Sequence, residues 1–228
     1  MKKKSGRLFL VGTSLLISFV LWTVLILFVD VRAIGPEGSS VGFASLNGFV
    51  NNITGVNMSL YVITDWLGLV PIGVAFGFAV LGLVQWIKRK SLLKVDQSIL
   101  ALGGFYIIVI AVYVLFEIVV INYRPTLING YLEASYPSST TMLVMCVMPT
   151  AMVQFRTRIK NDKFRRCIML AIAVFIAFMV IGRLVSGVHW ITDIIGGALF
   201  STAIVLMYYS ICNVATKNHY TNSNLSSC

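Results

Sequence analysis

Three residues in the segment GRLVSGVHWITD have side chains suited to chemistry on an anionic group. His189 and Asp193 are four residues apart, so on a helix they lie on the same face. A carboxylate in that position can take the proton on one imidazole nitrogen and leave the other as a nucleophile or base. Arg183, six residues before His189, supplies a guanidinium group for a phosphate or carboxylate. The segment therefore predicts a site that acts on an anion.

Two further segments carry residue types that suit a phosphate. In NYRP, Arg124 precedes Pro125, and its planar guanidinium can bind phosphate oxygens in a bidentate manner. In YPSSTT, Pro137 precedes Ser138 and Ser139, a pattern typical of a helix start. The free N–H groups and positive dipole of a helix start favour an anion. All three segments lie at junctions between apolar runs, and we expect them to meet at one end of the fold.

The composition indicates that these segments belong to a membrane protein. The 228 residues have a mean hydropathy of +0.89, and 58% are hydrophobic whereas 11% are charged, a balance that soluble domains rarely show. At about 20 residues per helix, six apolar segments can each cross a hydrocarbon core of about 30 Å. They are approximately Leu8–Val29, Thr64–Ile87, Ser98–Ile121, Thr140–Phe155, Cys167–Ile181 and Trp190–Val214. We therefore predict an all-α, polytopic bundle of six transmembrane helices.

The distribution of basic residues predicts the orientation of that bundle. All Lys and Arg residues except Arg32, Arg124 and Arg183 lie near the N-terminus, after the second, fourth and sixth apolar segments, or within the loops that follow them. The positive-inside rule makes this side cytoplasmic, with both termini inside. The net charge of +10 thus follows from topology, and no nucleic-acid partner is expected. Residues 1–216 form the predicted membrane domain and 217–228 a polar cytoplasmic tail, in a plasma membrane with the site facing outwards.

The longest extramembrane segment, Asp30–Ile63, contains a helical pattern of apolar residues. Those that recur at helical spacing are Phe43, Leu46, Phe49, Val50 and Ile53. Two interpretations remain open: a short helix that lies in the outer membrane interface, and a helix that packs on the end of the bundle. The distinction matters because this segment lies on the predicted side of the site.

The sequence predicts neither disulfides nor a bound metal. The four cysteines fall in apolar segments or on the predicted cytoplasmic side, at positions Cys146, Cys167, Cys212 and Cys228. No paired spacing of Cys and His indicates zinc. We therefore expect no disulfide, no metal and no other cofactor, and the chemistry must come from the side chains at the three junctions.

Together the junctions resemble the motifs of the type 2 phosphatidic acid phosphatase superfamily, integral membrane lipid phosphatases related to the vanadium haloperoxidases. That family has a Lys seven residues before Arg-Pro, then Pro-Ser-Gly-His, then an Arg followed at fixed spacing by His and Asp. Arg124-Pro125, Pro137-Ser138 and the set Arg183, His189 and Asp193 match in type, order and internal spacing. The resemblance covers approximately Glu117 to Asp193, and the six-helix layout fits the rest.

The resemblance implies a role for each matching residue. His189 would attack phosphorus in line and become transiently phosphorylated, and Asp193 would orient it. Arg124, Arg183 and the backbone of Ser138 and Ser139 would bind phosphoryl oxygens and stabilise the charge of the transition state. No metal is implied. The implied substrate is a lipid phosphate or diphosphate held in the bilayer; association of identical chains is left open.

Two positions depart from the family pattern. Glu117 stands where the family has its phosphate-binding Lys, and Thr140 stands where it has the His that protonates the leaving group. Glu117 has two interpretations. It replaces the missing acid, because desolvation near the end of a span favours the protonated carboxyl, or it forms an ion pair with Arg124 or Arg183. The proximity of two guanidinium groups favours the ion pair.

The absence of the usual acid favours a substrate with a good leaving group. General-acid help contributes about 10²–10⁴-fold and is needed most when an alkoxide leaves. A lipid diphosphate instead releases a phosphate monoester, whose second pKa is about 6, so that it departs without a proton. We therefore favour a polyprenyl diphosphate, such as undecaprenyl diphosphate, over phosphatidate. The first alternative is a weakened or inactive relative that binds lipid phosphates or a membrane partner. The second is a transporter, which six spans permit but which is disfavoured because the sequence has no inverted repeat and no charge pair at the membrane midplane.

Overall fold

The computed structural model describes the backbone of residues 2–225 and the side chains of residues 5–212. Regular structure in this range is helical, apart from isolated β-bridges, so the all-α prediction is confirmed. The α-helices are α1 (Lys2–Phe28), α2 (Ala44–Thr54), α3 (Met58–Leu67), α4 (Leu69–Arg89), α5 (Gln97–Ile118), α6 (Ser139–Arg158), α7 (Asp162–Val185) and α8 (Ile191–Leu225). Because α8 continues to Leu225, it crosses the predicted start of the tail; the side chains of that tail, including His219, lie outside the described residues.

Five helical stretches of the described chain are long and apolar enough to cross a membrane. They are Ser5–Phe28, Met58–Arg89, Gln97–Ile118, Asp162–Val185 and Ile191–Cys212. The predicted fourth span corresponds to α6, which is not among them. Half of α6 is buried against other helices, so it does not need the apolar surface that contact with lipid requires. The count of six spans and the cytoplasmic location of the termini stay predictions.

The core of the bundle forms around α6 and α8. Helix α8 packs along α1, and α6 contacts α4, α5, α7 and α8. Aromatic side chains fill the space between these helices, among them Phe19, Phe105, Tyr136, Phe200 and Tyr208. Large aliphatic side chains on the outer faces of α1, α4, α5 and α7 are exposed, as expected for surfaces that lipid covers.

One end of the bundle, called here the basic end, consists of residues 88–96 and 156–166. Asp96 pairs with Arg89 at 3.0 Å and with Arg158 at 3.1 Å, which joins the two loops. The Ser5 hydroxyl donates to the Ser210 carbonyl at 2.7 Å. Tyr208 donates to the carbonyl of Ser98, two residues after Asp96, at 3.2 Å. The start of α1 therefore lies at the same end as the basic loops.

The opposite end, called here the site end, consists of residues 30–57, 119–138 and 186–193. The Asn47 side chain donates to Thr192 Oγ1 at 3.0 Å, and the backbone N–H of Asn57 donates to the Ser186 carbonyl at 2.9 Å. These contacts tie the segment before α3 to the turn between α7 and α8. All three predicted junctions therefore meet at one end of the molecule.

Helix α2 has features of both placements that the sequence left open for the segment 30–63, packing on the bundle and lying in the membrane interface. Phe43, just before its first residue, stacks on Trp22 of α1 with ring centroids 5.1 Å apart, and Asn47 is fully buried. Its other face exposes Phe49 and Ile53, which are 65% and 69% exposed. The helix is therefore anchored on the bundle and presents an apolar face suited to the membrane interface.

Candidate active site

A sharp turn between α7 and α8 brings His189 into the bundle. Gly187 has a φ of +66°, and a Cβ at this position would lie 1.7 Å from the Gly55 carbonyl oxygen. Only glycine fits such a close approach of two backbones with a positive φ. His189 follows two residues later and is 3% exposed. The turn thus places the imidazole inside the site end and not on its surface.

The hydrogen bonds of His189 determine where its proton lies. Its Nε2 is 3.2 Å from Nη1 of Arg124, and its Nδ1 is 3.2 Å from the carbonyl oxygen of Ser135. A guanidinium only donates and a carbonyl only accepts. Nδ1 therefore carries the hydrogen and Nε2 accepts, so the arrangement suits a neutral imidazole with a lone pair on Nε2, directed towards Arg124.

Burial and neighbouring charge stabilise this neutral form. Burial first, and then the positive charges of Arg124 and Arg183, hold the pKa of His189 well below its usual 6.5. The hydrogen bond to Ser135 acts in the opposite direction and is weaker. At neutral pH the imidazole is therefore unprotonated, which is the form that can act as a nucleophile.

Asp193 lies beside the imidazole and also accepts a hydrogen bond from the backbone. Its Oδ2 is 3.7 Å from Nδ1 of His189 and accepts a hydrogen bond from the N–H of Trp190 at 2.9 Å. Its carbonyl accepts from the N–H of Ser138 at 3.1 Å. The nearest acceptor for the His189 proton is thus the Ser135 carbonyl, and the predicted orienting role of Asp193 stays a prediction.

The two predicted phosphate-binding arginines flank one aromatic ring. The guanidinium carbons of Arg124 and Arg183 lie 5.8 Å and 4.8 Å from the centroid of the Tyr61 ring. Arg124 Nε is 3.0 Å from a carboxylate oxygen of Glu133, and Arg183 Nη2 is 3.6 Å from one of Asp65. Both arginines are buried, at 8% and 1% exposure. Two like charges are thus held close together by an aromatic face and by one carboxylate each.

Arg183 retains hydrogen-bonding capacity in this arrangement. Its Nη1 lies 3.4 Å from Thr64 Oγ1 and 3.5 Å from the Tyr61 carbonyl, both long contacts. Its Nε is buried and has no hydrogen-bond partner among residues 5–212. Buried donors without partners are rare in folded proteins. The guanidinium therefore has room for a stronger acceptor, such as a phosphoryl oxygen.

The residues of the YPSSTT segment lie at different depths. Ser138 is fully buried and caps α6, its Oγ accepting from the Thr141 N–H at 3.4 Å. Ser139 lines a small cleft together with His189 and Glu117. Thr140 is 8% exposed. The structure thus brings Ser139 to the cleft, whereas Ser138 acts locally as a helix cap.

Glu117 lies near the end of α5 with an exposed side chain. Within the described residues 5–212 it takes part in no ion pair, since Arg124 pairs with Glu133 and Arg183 with Asp65. The favoured interpretation of Glu117, an ion pair with one of these arginines, is therefore not what the structure contains. Its carboxylate lines the same cleft as His189 instead.

Four residues of the site were not predicted from the sequence: Tyr61, Asp65, Glu133 and Ser135. Asp65 and Glu133 read as solvated loop charges or helix caps, yet they are the carboxylates beside the two arginines. Tyr61 and Asp65, four residues apart on α3, share the face that meets α7, and this spacing was the one available signal. Ser135 acts through its backbone carbonyl, which no residue type reveals.

No cluster of three or more His, Cys, Asp or Glu side chains in the described part of the chain could hold a metal ion. The chemical groups that meet at the site end are therefore an imidazole, two guanidinium groups, hydroxyls and carboxylates. Such a set can bind a phosphoryl group and present a neutral nitrogen nucleophile to it.

Comparisons with protein families and with solved structures each give a match. The model of the PAP2 superfamily matches residues 117–217. No curated protein sequence matches the chain. Among solved structures, the chain is similar to the "first transmembrane PAP2 type phosphatidylglycerolphosphate phosphatase from Bacillus subtilis", with a TM-score of 0.50 and 18% identity, over 90% of this chain and 96% of that one. At that identity the likeness establishes the fold, and the family match covers the three junctions. Residues 117–217 are thus similar to the PAP2 superfamily, and the chain shares the fold of a solved PAP2 type phosphatase.

Proposed function

We propose that this protein is a membrane lipid phosphatase in which Nε2 of His189 attacks phosphorus in line. The observation that carries the proposal is the neutral imidazole whose Nε2 lies 3.2 Å from Arg124. A phosphoryl group bound to that guanidinium places phosphorus within reach of the lone pair. The match of residues 117–217 to the PAP2 superfamily supports a hydrolase of phosphoric esters.

In the first step the Nε2–P bond forms and the bond from phosphorus to the leaving oxygen breaks. Arg124 and Arg183 stabilise the charge on the phosphoryl oxygens, which is the main contribution a protein makes to phosphoryl transfer. The Nδ1 hydrogen, held by the Ser135 carbonyl and next to Asp193, stabilises the positive charge that develops on the imidazole. Ser139 and the start of α6 supply further donors at the cleft.

Substrate binding involves exchange of the acceptors around the arginines. The phosphoryl oxygens take the place of Glu133 at Arg124 and approach the unpartnered Nε of Arg183. The Glu133 side chain is 41% exposed, so its carboxylate can turn into water when a phosphoryl group arrives at Arg124. A phosphate dianion, with more charge and more oxygens, displaces it easily. The lipid tail stays in the bilayer and the head group enters sideways from the outer leaflet.

We propose a polyprenyl diphosphate, such as undecaprenyl diphosphate, as the favoured substrate. The family histidine that protonates the leaving group is Thr140 here, and a departing phosphate monoester does not need that proton. The structural relative is named for phosphatidylglycerolphosphate, a monoester whose leaving group is an alcohol. The two lipids therefore differ in whether the leaving group needs a proton, and the residue at position 140 would supply that proton in the family pattern.

The test is phosphate release by detergent-purified protein on undecaprenyl diphosphate, phosphatidate and phosphatidylglycerolphosphate, with wild type beside His189→Ala. We expect release from the diphosphate to be at least about 100-fold faster than from the monoesters, in line with the usual size of general-acid help. Equal rates on all three lipids would contradict the leaving-group argument. Release that persists in His189→Ala would contradict the phosphatase mechanism itself.

A second candidate function is a catalytically inactive relative that binds lipid phosphates, and Thr140 is the observation that favours it. The variant Thr140→His separates the two. In a specialised phosphatase we expect hydrolysis of the monoesters to rise about tenfold or more, because a proton donor returns to the leaving group, with little change on the diphosphate. In an inactive binding protein, wild type and variant release no phosphate from any of the lipids.

The proposed location is the plasma membrane, with the site end on the outer side. The basis is the positive-inside rule applied to the basic end, which lies opposite His189 in the bundle. Labelling of a cysteine introduced at exposed Tyr131 with a membrane-impermeant reagent tests it. We expect labelling in intact cells; labelling only after lysis would reverse the orientation.

A further inference from the structure

We propose that Glu117 is the general base that activates the water which hydrolyses phosphorylated His189. This inference rests on the proposed function and assigns its second half-reaction. In the family pattern this position is a Lys that binds phosphate, so an acidic residue here requires a different role. The structure supplies three observations that point to one.

The first observation is a small cleft shared by Glu117 and His189. Its other lining residues include Ser139 and the aromatic side chains of Tyr113 and Tyr136. Its volume is about 10 Å³, close to the space of about 10–15 Å³ that one water molecule requires. Glu117 and His189 thus both line a space of about the size of one water.

The second observation is that no cation in the described part of the chain holds the Glu117 carboxylate. Among residues 5–212 it forms no ion pair, and both guanidinium groups of the site have another carboxylate beside them. Tyr113, which lines the same cleft, hydrogen-bonds to this carboxylate. Because a carboxylate has about four lone-pair sites, it can still accept a proton from a water in the cleft.

The third observation is that Glu117 is exposed, whereas His189 and Asp193 are buried at 3% and 0% exposure. A base must return its proton to solvent before the next cycle. Asp193 lies on the far side of the imidazole, next to Nδ1, and already accepts the Trp190 N–H. Glu117 is therefore the carboxylate that combines access to the cleft with access to bulk solvent.

The step balances as follows. The water oxygen attacks phosphorus opposite to Nε2 of His189, and the P–N bond breaks with its electron pair returning to Nε2. One water proton moves to the Glu117 carboxylate, and inorganic phosphate leaves. Glu117 then releases the proton to solvent, and His189 is again neutral with its hydrogen on Nδ1.

The experiment follows the phosphoryl group through both half-reactions in Glu117→Gln. Full-length protein in detergent is mixed with undecaprenyl diphosphate that carries a ³²P label in its terminal phosphate, and the label is measured as free phosphate and as protein-bound phosphohistidine. Glu37→Gln is the matched control, since it removes an exposed carboxylate at the same end, outside the cleft. His189→Ala identifies the labelled residue.

We expect Glu117→Gln to release one burst of lipid product and then to accumulate close to one label per chain on His189. Steady-state phosphate release should fall about 100-fold or more, the usual effect of losing a general base, whereas Glu37→Gln should behave as wild type. Normal turnover in Glu117→Gln, or slow turnover without the labelled intermediate, would overturn the proposal. If wild type releases no phosphate at all, the proposed function fails first, and this outcome is distinct from the other two. Elution of each variant as a single folded species excludes misfolding as the cause.

Discussion

Both ends of the bundle carry arginines next to carboxylates, but they differ in the number of hydrogen-bond donors per carboxylate. At the basic end one carboxylate serves several donors: Asp96 accepts from Gln85 at 2.9 Å, Arg89 at 3.0 Å and Arg158 at 3.1 Å. Burial alone would raise the pKa of Asp96, but these hydrogen bonds lower it below its usual value. The carboxylate is saturated and the cluster joins two loops.

At the site end the donors exceed the acceptors. Arg124 and Arg183 each have one carboxylate, the contact of Arg183 with Asp65 is 3.6 Å, and its Nε has no partner among the described residues. The arginines are also far more buried than those at the basic end. Buried donors without acceptors are unfavourable unless a ligand supplies them. The comparison thus separates an ion cluster that holds loops together from one arranged to receive an anion.

The largest difference between the two ends should appear when one arginine at each end is replaced by lysine. In Arg183→Lys the two-pronged contact with phosphoryl oxygens is lost, and hydrogen bonds to charged groups contribute about 1.5–3 kcal/mol. We expect kcat/KM for lipid diphosphate to fall about 100-fold. The matched change Arg158→Lys at the basic end should leave kcat/KM within about twofold, since a partly exposed ion pair contributes little.

Equal losses of kcat/KM in Arg183→Lys and Arg158→Lys would contradict the distinction between the two ends. Size-exclusion profiles and thermal unfolding of the two proteins in detergent serve as controls for folding. A loss in Arg183→Lys that appears only as a lower melting temperature, with kcat/KM per folded molecule unchanged, would also contradict the assignment of Arg183 to the site.

A smaller effect is expected from Tyr61, which lies between the two arginines. In Tyr61→Leu the aromatic face that attracts both guanidinium groups is removed, at about 0.5–2 kcal/mol for each contact. We expect kcat/KM to fall about tenfold, mainly through KM, while Tyr61→Phe retains activity. The control Tyr131→Leu changes a tyrosine that is 73% exposed at the same end and should have no effect. If Tyr61→Phe lost as much as Tyr61→Leu, the hydroxyl and not the ring face would be responsible.

The smallest predicted effect is a displacement in pH. Because burial and the positive charges of Arg124 and Arg183 lower the pKa of His189, the imidazole stays neutral at pH values at which an ordinary histidine is half protonated. The hydrogen bond between Nδ1 and the Ser135 carbonyl acts in the opposite direction and is weaker. The sequence has two histidines, so the variant His219→Gln leaves His189 as the one imidazole signal in NMR spectra. We expect that signal to titrate well below pH 6.5; a midpoint at or above 6.5 would contradict the assignment of a neutral nucleophile.

The sequence predicted the chemical residues better than their surroundings. Arg124, Arg183, His189 and Asp193 were identified because their spacing is a motif, and the charge asymmetry placed their junctions at one end. Tyr61, Asp65 and Glu133 were missed because they reach the arginines through tertiary packing, which leaves no local pattern. The role of Ser135 depends on a backbone carbonyl, so its side chain gave no indication.

The fold shows a similar division. The length of the apolar segments predicted helices at α1, α4, α5, α7 and α8, because a helix that crosses the hydrocarbon core needs about 20 apolar residues. It describes α6 less well: this helix is surrounded by others, and its Thr and Gln side chains are hidden within the bundle. The pattern in residues 43–53 left two placements open. Phe43 stacks on α1 and Asn47 of α2 binds Thr192 of α8, whereas Phe49 and Ile53 are exposed, so the segment has features of a packed helix and of an interfacial one.

The measurement that tests the central claim most directly is detection of the phosphorylated residue during turnover. Wild-type protein is quenched within milliseconds of mixing with undecaprenyl diphosphate, kept at alkaline pH to preserve phosphohistidine, and analysed by peptide mass spectrometry beside His189→Ala. The account predicts a phosphoryl group on His189 in the wild type and none on the variant, which should also release no phosphate. Phosphate release by His189→Ala at the wild-type rate would contradict it.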